Sequence, residues 1–459
     1  MLCWNRHSRH MGVLAALTVL ILADAAFAGA GDLNFDGIFE VALDLPRILF
    51  LLKRDANEPA LEYQGNFELN WAFLDTGASG ILLSKETIDW MEISLEPGAQ
   101  YADVGIGGIE LFDVAEPLYF GTDYLNDADP NEQNHYLLSG PWHFQVKQTY
   151  AGDWPDEPLD LLGMPVMAGK VVVLDSGATN GLEYFAADIK EVGDPNIPTV
   201  DFNVPLRFEK YYNRYDTNNV PPLPVLAYNP VIDNVTTEYN GTSVSGTWLL
   251  DTCGTISLMS TATAAAMGLV DGDGNPVVTP DFVIPIGGVG PEDINIPGYE
   301  IDNLIIPTLN GYNLVYNNAR IGVHDIGIID EDTGEPLILT GIFGSNFLCA
   351  SAKMDGGWPV ALAETPYNKI VIDMQKGLLG FDVNDVYPLP TSYMSVCGDA
   401  ANPWPEADFN RDCSVDFKDL KILSEEWLEQ CGWLNWNCSG VDSDRDGTVE
   451  LQDFARFAQ

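Results

Sequence analysis

From about residue 33 to residue 387 the chain is written in short apolar runs rich in Val, Ile, Leu, Phe and Tyr, cut by Gly, Pro, Asn and Asp. KVVVLD (170–175), NLIIPTL (303–309) and KIVIDM (369–374) are examples. Runs of that length between turn residues predict β-strands, and no long stretch carries the apolar period of a helix. The texture changes at YPLPTSYMSVCGDAANPWPEA (387–407), a Pro-containing linker. Beyond it, acidic loops alternate with short amphipathic segments such as LKILSEEWL (420–428), which predicts a small helical module. The start of the chain fits neither texture. A short stretch carrying Arg6 and Arg9 precedes the apolar run 13–23 and then Ala26-Phe27-Ala28, which predicts a secretory signal cleaved after Ala28. The run is too short to span a bilayer and Asp24 closes it; no later segment is long enough, so no membrane span is expected.

The β-rich region repeats itself. WAFLDTGASGILLS (71–84) aligns without a gap on TWLLDTCGTISLMS (247–260). A glycine-rich turn follows in each copy, VGIGGI (104–109) and PIGGVG (285–290), then an apolar-apolar-Gly triplet ending at Gly163 or Gly344. Each copy closes on a strand, KVVVLD or KIVIDM. Any one of these is a weak signal, but the order met twice is a strong one. The expected division is a leader at 1–28, a first lobe at 29–190, a second at 191–387, a linker at 388–406 and the helical module at 407–459. A third Asp-Ser-Gly, at Asp175, follows the closing strand of copy one and has no accessory motifs of its own, so it reads as a turn. Asp75 is therefore expected to face Asp251.

Charge and cysteines narrow the partners. With 68 acidic against 21 basic residues, nucleic acid and anionic membranes are poor partners. Of seven cysteines, Cys3 lies in the leader and four crowd near the end (Cys397, Cys413, Cys431, Cys438), which predicts one or two bridges in an exported protein. Beyond the leader only His135, His143 and His324 remain, with no metal-binding spacing, and no G-x-S-x-G elbow is present. The GIGG turn lacks the helix and acidic residue of a dinucleotide site.

Two carboxyls held close together cannot both ionise, so they share a proton. One member can then take a proton from water while the other polarises a scissile carbonyl. Thr76 and Thr252 would lock the two loops together, Gly77 admits close backbone approach, and Gly163 and Gly344 would pack behind the aspartates. On these motifs the region 33–387 resembles the aspartic peptidases: mainly β, with a bilobal pepsin-like layout and retropepsin-like motifs in each lobe. The resemblance implies peptide-bond hydrolysis of a polypeptide substrate by Asp75 and Asp251, no metal in that site, and lobes paired within one chain. It implies flaps at Gly107-Gly108 and Gly287-Gly288. Copy two departs from the pattern, with Cys253 where glycine is usual; this sustains a second reading, a catalytically inactive pepsin-fold binding or scaffold protein. Cys253 and Cys349 are candidates for a bridge. Position three after each aspartate is Ala78 or Gly254, neither offering a hydroxyl, so the expected pH optimum is weakly acidic.

In the C-terminal module, DFNRDCSVDFKD (408–419) and DSDRDGTVELQD (442–453) share a twelve-residue calcium-loop pattern. Ligand positions one, three, five and twelve are Asp408, Asn410, Asp412 and Asp419, then Asp442, Asp444, Asp446 and Asp453. Ser414 and Thr448 would offer carbonyls, and Asp416 and Glu450 would act through water; such a hard-oxygen cage suits Ca²⁺. Aspartate at position twelve and the loop-helix pairing resemble a duplicated dockerin, a small α-helical EF-hand-like domain, which implies a cohesin-like or cell-surface partner and a secreted or surface-associated protein. Cys413 replaces the turn glycine of the first loop and Gly447 keeps it in the second. GDLNFDG (31–37) resembles a third loop but has Leu43 at its twelfth position and reads as a turn; DGDGN (271–275) reads as a hairpin loop.

Overall fold

The computed structural model describes residues 31–61, 71–105, 108–123, 135–137, 140–149, 159–176, 185–212, 219–286, 294–325, 327–329, 336–355, 358–387, 389, 404–411 and 414–457. It is mainly β. FNVPLRFE forms the strand Phe202–Glu209, alternating buried and half-buried residues as one covered face requires. RILFLLK forms Arg47–Lys53 with five consecutive buried residues, the pattern of a strand covered on both faces.

The duplication is repeated in the pairing. In the first half Trp71–Leu74 runs parallel to Leu161–Leu162, which is antiparallel to Ile81–Leu83, which in turn is parallel to Gln145–Val146. In the second half Thr242–Asp251 runs parallel to Gly341–Gly344, that strand is antiparallel to Leu258–Met259, and Leu258–Met259 is parallel to Tyr312–Val323. The equivalence continues into two short helices, Lys85–Trp90 and Thr261–Ala266. Ser84 caps the first by accepting from the Thr87 N–H, and Ser260 caps the second by accepting from Thr263.

The closing strands of the two copies join the halves. Val171–Asp175 pairs antiparallel with Tyr367–Asp373, and the sheet extends through Ala186–Lys190 on one side and through Leu378–Val383 to Phe202–Glu209 on the other. One apolar core accordingly runs through both halves.

GDLNFDG is not a turn. Gly31–Asp36 is a strand because Leu33 and Phe35 alternate inward, with Phe35 packed against Tyr316, Tyr367 and Tyr387. It lies parallel to Tyr312–Val323, and Val41–Ala42 pairs with Ser351–Asp355, so residues 31–42 belong structurally to the second half. DGDGN does form a tight loop, closed by Asp271 Oδ1 accepting from Asp273 and Asn275 N–H groups.

After residue 404 the helices Phe417–Glu425 and Leu451–Phe457 pack around Phe409, Leu423, Val441 and Val449, with Cys431 bridged to Cys438. Cys397 and Cys413 lie outside the described residues. Among the described residues no helix is long and apolar enough to cross a membrane.

Candidate active site and metal loops

Each aspartate sits where its strand ends against a glycine. The Asp75 N–H donates to the Leu162 carbonyl, so Gly163 follows directly behind it, and Asp251 is in register with Gly344. A Cβ on Gly163 would stand 2.0 Å from the Gly80 carbonyl oxygen, and one on Gly344 would stand 2.7 Å from that of Gly254. Neither site admits a side chain.

The two carboxyls have matching environments. Asp75 Oδ1 accepts from the N–H groups of Gly77 (2.8 Å) and Ala78 (3.1 Å). Asp251 Oδ1 accepts from those of Cys253 (2.9 Å) and Gly254 (2.8 Å). The loops are tied together by their threonines, both fully buried. Thr76 Oγ1 donates to the Leu250 carbonyl (2.7 Å) and accepts from the Thr252 N–H (3.1 Å). Reciprocally, Thr252 Oγ1 donates to the Leu74 carbonyl (2.5 Å) and accepts from the Thr76 N–H (3.1 Å). Burial raises the Asp75 carboxyl well above the ordinary carboxylate range, and the neighbouring Asp251 charge raises it further against the opposing Gly77 N–H. Asp251 is also raised by burial, with the Gly254 and Cys253 N–H groups pulling the other way. Such a pair holds one proton between two carboxyls over a range where isolated ones would both be ionised.

Cys253 keeps its N–H bond to Asp251 and does not displace the carboxyl. Its thiol lies beside the pair: burial, then Asp75 and Asp251, hold it well above the usual thiol range. The Cys253–Cys349 bridge does not form. Both are free, and Cys349 Sγ instead lies 3.4 Å from the Asp44 carbonyl oxygen, because the two cysteines are anchored to different segments. Asp175 ends its strand in an ion pair with Lys369 and takes no part in the pair of aspartates.

Three polar supports lie outside the residues that the motifs single out. In the second half Ser345, immediately after Gly344, donates to the Thr252 carbonyl (2.7 Å). Met164 stands at the equivalent place after Gly163 and has no hydroxyl. The first half instead uses fully buried Asn229, whose Nδ2 donates to the Thr76 carbonyl (2.9 Å) while its Oδ1 accepts from Ser79 Oγ (2.5 Å). The third is Asp160, whose carboxyl accepts from the Ser84 N–H (2.7 Å) and Thr87 Oγ1 (2.6 Å) behind the first loop. In the second half the Thr340 carbonyl receives the corresponding Ser260 N–H (3.0 Å) and Thr263 hydroxyl (3.4 Å). Ser345 follows one recognisable triplet and Asp160 precedes the other, so each had a local signal; Asn229 had none.

Of the proposed flaps, Gly108 lies at the tip of the hairpin Leu95–Gly105/Gly108–Ala115 with φ of 97°. Gly107, Gly287 and Gly288 lie outside the described residues, the last two between the paired strands Phe282–Ile286 and Ile294–Pro307.

In the second acidic loop of the tail, carboxylate oxygens of Asp442, Asp444 and Asp453 come within 4.8 Å of one another. Asp453 Oδ2 accepts from the Glu450 N–H (2.9 Å), and Asp442 Oδ2 accepts from the N–H of Gly447 (3.1 Å), whose φ of 95° suits glycine. The first loop has the same frame: Asp419 accepts from the Asn410 (3.1 Å) and Asp416 (2.8 Å) N–H groups. Asp412 lies outside the described residues, and Asp446 and Thr448 line the second loop through an N–H bond from Thr448 to Asp446 Oδ1. Three convergent carboxylates fit a divalent, oxygen-seeking cation.

No protein-family profile matches the chain, and no curated protein matches it. Among solved structures, the crystal structure of basic 7S globulin from soybean aligns over 74% of this chain and 96% of that one, with 11% identity and a TM-score of 0.36.

Proposed function

We propose that the chain is an exported aspartic-type endopeptidase in which Asp75 and Asp251 activate a water between them. The observation that carries the reading is the matched environment of the two carboxyls, each taking two loop N–H groups, with the loops cross-tied by Thr76 and Thr252. The ionised carboxyl removes a proton from water as the oxygen attacks the scissile carbonyl, and the protonated carboxyl donates to the carbonyl oxygen. The resulting gem-diol collapses with the C–N bond breaking and a proton passing to the leaving amine. Raised carboxyls without a hydroxyl partner at Ala78 or Gly254 favour a weakly acidic optimum.

We assign the tail to calcium and docking. Asp442, Asp444 and Asp453, with Asp446, Thr448 and Glu450, would hold one Ca²⁺; Asp408, Asn410, Asp412, Ser414, Asp416 and Asp419 would hold another. The ion would fix the loop backbone and take no part in hydrolysis. Phe417 and Leu451, equivalent first residues of the two helices, are 86% and 72% exposed, which favours a protein partner of the cohesin type or at a cell surface.

The test is cleavage of an unfolded protein by the mature chain from about pH 3 to 7, bracketing carboxyl titration. Activity abolished by both Asp75→Asn and Asp251→Asn, and kept in Asp175→Asn, is the expected result. No cleavage at any pH by folded protein would leave the inactive scaffold as the better reading.

A further inference from the structure

The tail is built into the body. Its loop between the two acidic segments, 431–438, stacks Trp433 on Trp142 (ring centroids 5.3 Å apart) and packs Trp436 on Phe208 (4.7 Å). Trp436 Nε1 donates to the Gln375 carbonyl (3.2 Å). Arg411 lies over the Trp404 and Trp436 rings and donates to the Gly377 carbonyl (2.9 Å). Trp436, Asn437, Cys438 and Ser439 all have positive φ, between 48° and 54°. Four consecutive non-glycine residues in the left-handed region are strained, and such strain persists only where surrounding contacts impose it. The bridge to Cys431 and the packing on the body are those contacts.

From this loop a continuous set of bonds reaches the first aspartate. The Leu434 carbonyl accepts from the Tyr228 N–H (2.9 Å), and the next residue is Asn229, which holds the Thr76 carbonyl. The same strip is sewn to the first loop by the Ala227 N–H on the Ser79 carbonyl (2.8 Å). At its other end the Cys431 N–H donates to the carbonyl of Gly447, the turn residue whose own N–H holds Asp442. The second loop has supports of its own: Ser345 holds the Thr252 carbonyl, and the Ala42 N–H of the strand Val41–Ala42 donates to the Thr255 carbonyl (2.7 Å); among the described residues no hydrogen bond joins the tail to it directly.

We propose that Asn229 is a positioning residue for the Asp75 loop and that the C-terminal module braces it through Leu434 and Tyr228, so that the state of the tail is felt more strongly at Asp75 than at Asp251, which it reaches only through the threonine cross-tie and the neighbouring strand. The inference rests on the reading of these aspartates as a working pair and of residues 442–453 as a calcium loop. It differs from both in predicting asymmetry between two loops that are otherwise alike.

The test is hydrogen exchange of the full mature chain, comparing peptides that carry the Gly77 and Ala78 amides with those that carry Cys253 and Gly254. It is run with calcium, with a chelator, and in the double variant Trp433→Ala/Trp436→Ala with calcium present. Loss of a buried support should speed exchange in the Asp75 loop by about 10-fold or more, and by clearly less in the Asp251 loop, which keeps Ser345 and Ala42. In the cleavage assay the same variant should lower kcat with KM held. Equal acceleration in both loops, or none in the double variant, overturns the brace. Exchange needs no activity, so an inactive chain with asymmetric exchange would defeat the peptidase reading and leave the brace standing. Calorimetry reporting no calcium binding would defeat the metal reading alone, with the double variant deciding the brace.

Discussion

Asp160→Asn isolates the cost of ionising one buried group. Its carboxyl holds the Ser84 N–H and the Thr87 hydroxyl, fixing the helix Lys85–Trp90 behind the first aspartate loop. Burial, opposed by those hydrogen bonds, pushes the carboxyl up to about 6 from its ordinary 3.8. The difference, 6 − 3.8 = 2.2, corresponds to about 3 kcal/mol at roughly 1.36 kcal/mol for each tenfold change in proton affinity. Because the folded value is raised, protonation favours the native state. That contribution is complete below about 3.8 and is lost as pH rises through about 6. Asparagine matches the protonated acid in shape: its Oδ1 still accepts from Ser84, and its Nδ2 can donate to Thr87 Oγ1. The variant and the wild type should therefore be similarly stable near pH 4, and the variant more stable by up to about 3 kcal/mol near pH 7.5. Urea unfolding at fixed calcium, followed by tryptophan fluorescence across that range, measures the difference. A difference that stays flat with pH, or a wild type that gains on the variant as pH rises, would refute the reasoning. At the equivalent place in the second half the Thr340 carbonyl, which does not titrate, fills this role.

Gly77→Ala would place a Cβ 2.8 Å from Asp251 Cγ. A displaced carboxyl should lower kcat about 10- to 100-fold. Cys253→Gly keeps both N–H bonds to Asp251 and should stay active, so equal losses in the two variants would count against the geometry. Thr76→Val strands the buried Leu250 carbonyl and Thr252 N–H, and should cost about 2–5 kcal/mol in urea unfolding; an unchanged midpoint would show the cross-tie to be idle. Asp453→Ala removes a carboxylate from the second acidic loop and should abolish the calcium heat of that loop in titration calorimetry. An unaltered isotherm would move the ion elsewhere.

What could be read in advance was either local or repeated. The Asp-Thr motifs, the glycines behind them and the twelve-residue acidic loops announce themselves because each occurs twice in the same order. Their equivalence even runs past the aligned stretch, into the helices that Ser84 and Ser260 cap. The supports are different. Asn229 is needed because Met164 lacks the hydroxyl that Ser345 supplies in the other half, and a buried amide contributed from 153 residues away leaves no periodic trace. Residues 31–42 look like part of the first half by position, but Phe35 and Phe39 find their aromatic partners in the second. The docking of Trp433 and Trp436 was hidden for the same reason, since pattern alone does not say which surface an aromatic residue meets.

The strand Gly31–Asp36 has a consequence for how the protein is made. Gly31 pairs with Tyr312, a partner synthesised 281 residues later (312 − 31 = 281). At ribosomal rates of about 5–20 residues per second, Leu33 and Phe35 wait for roughly 15–55 s before their place in the sheet exists. The second half cannot complete its sheet until the oldest segment of the described chain returns to it, so the last-made β-rich half is sealed by the first-made of the described strands. Such distant pairing raises contact order and slows folding. It also leaves an apolar strand edge exposed during synthesis, where a holding chaperone or an unpaired neighbour would find it first.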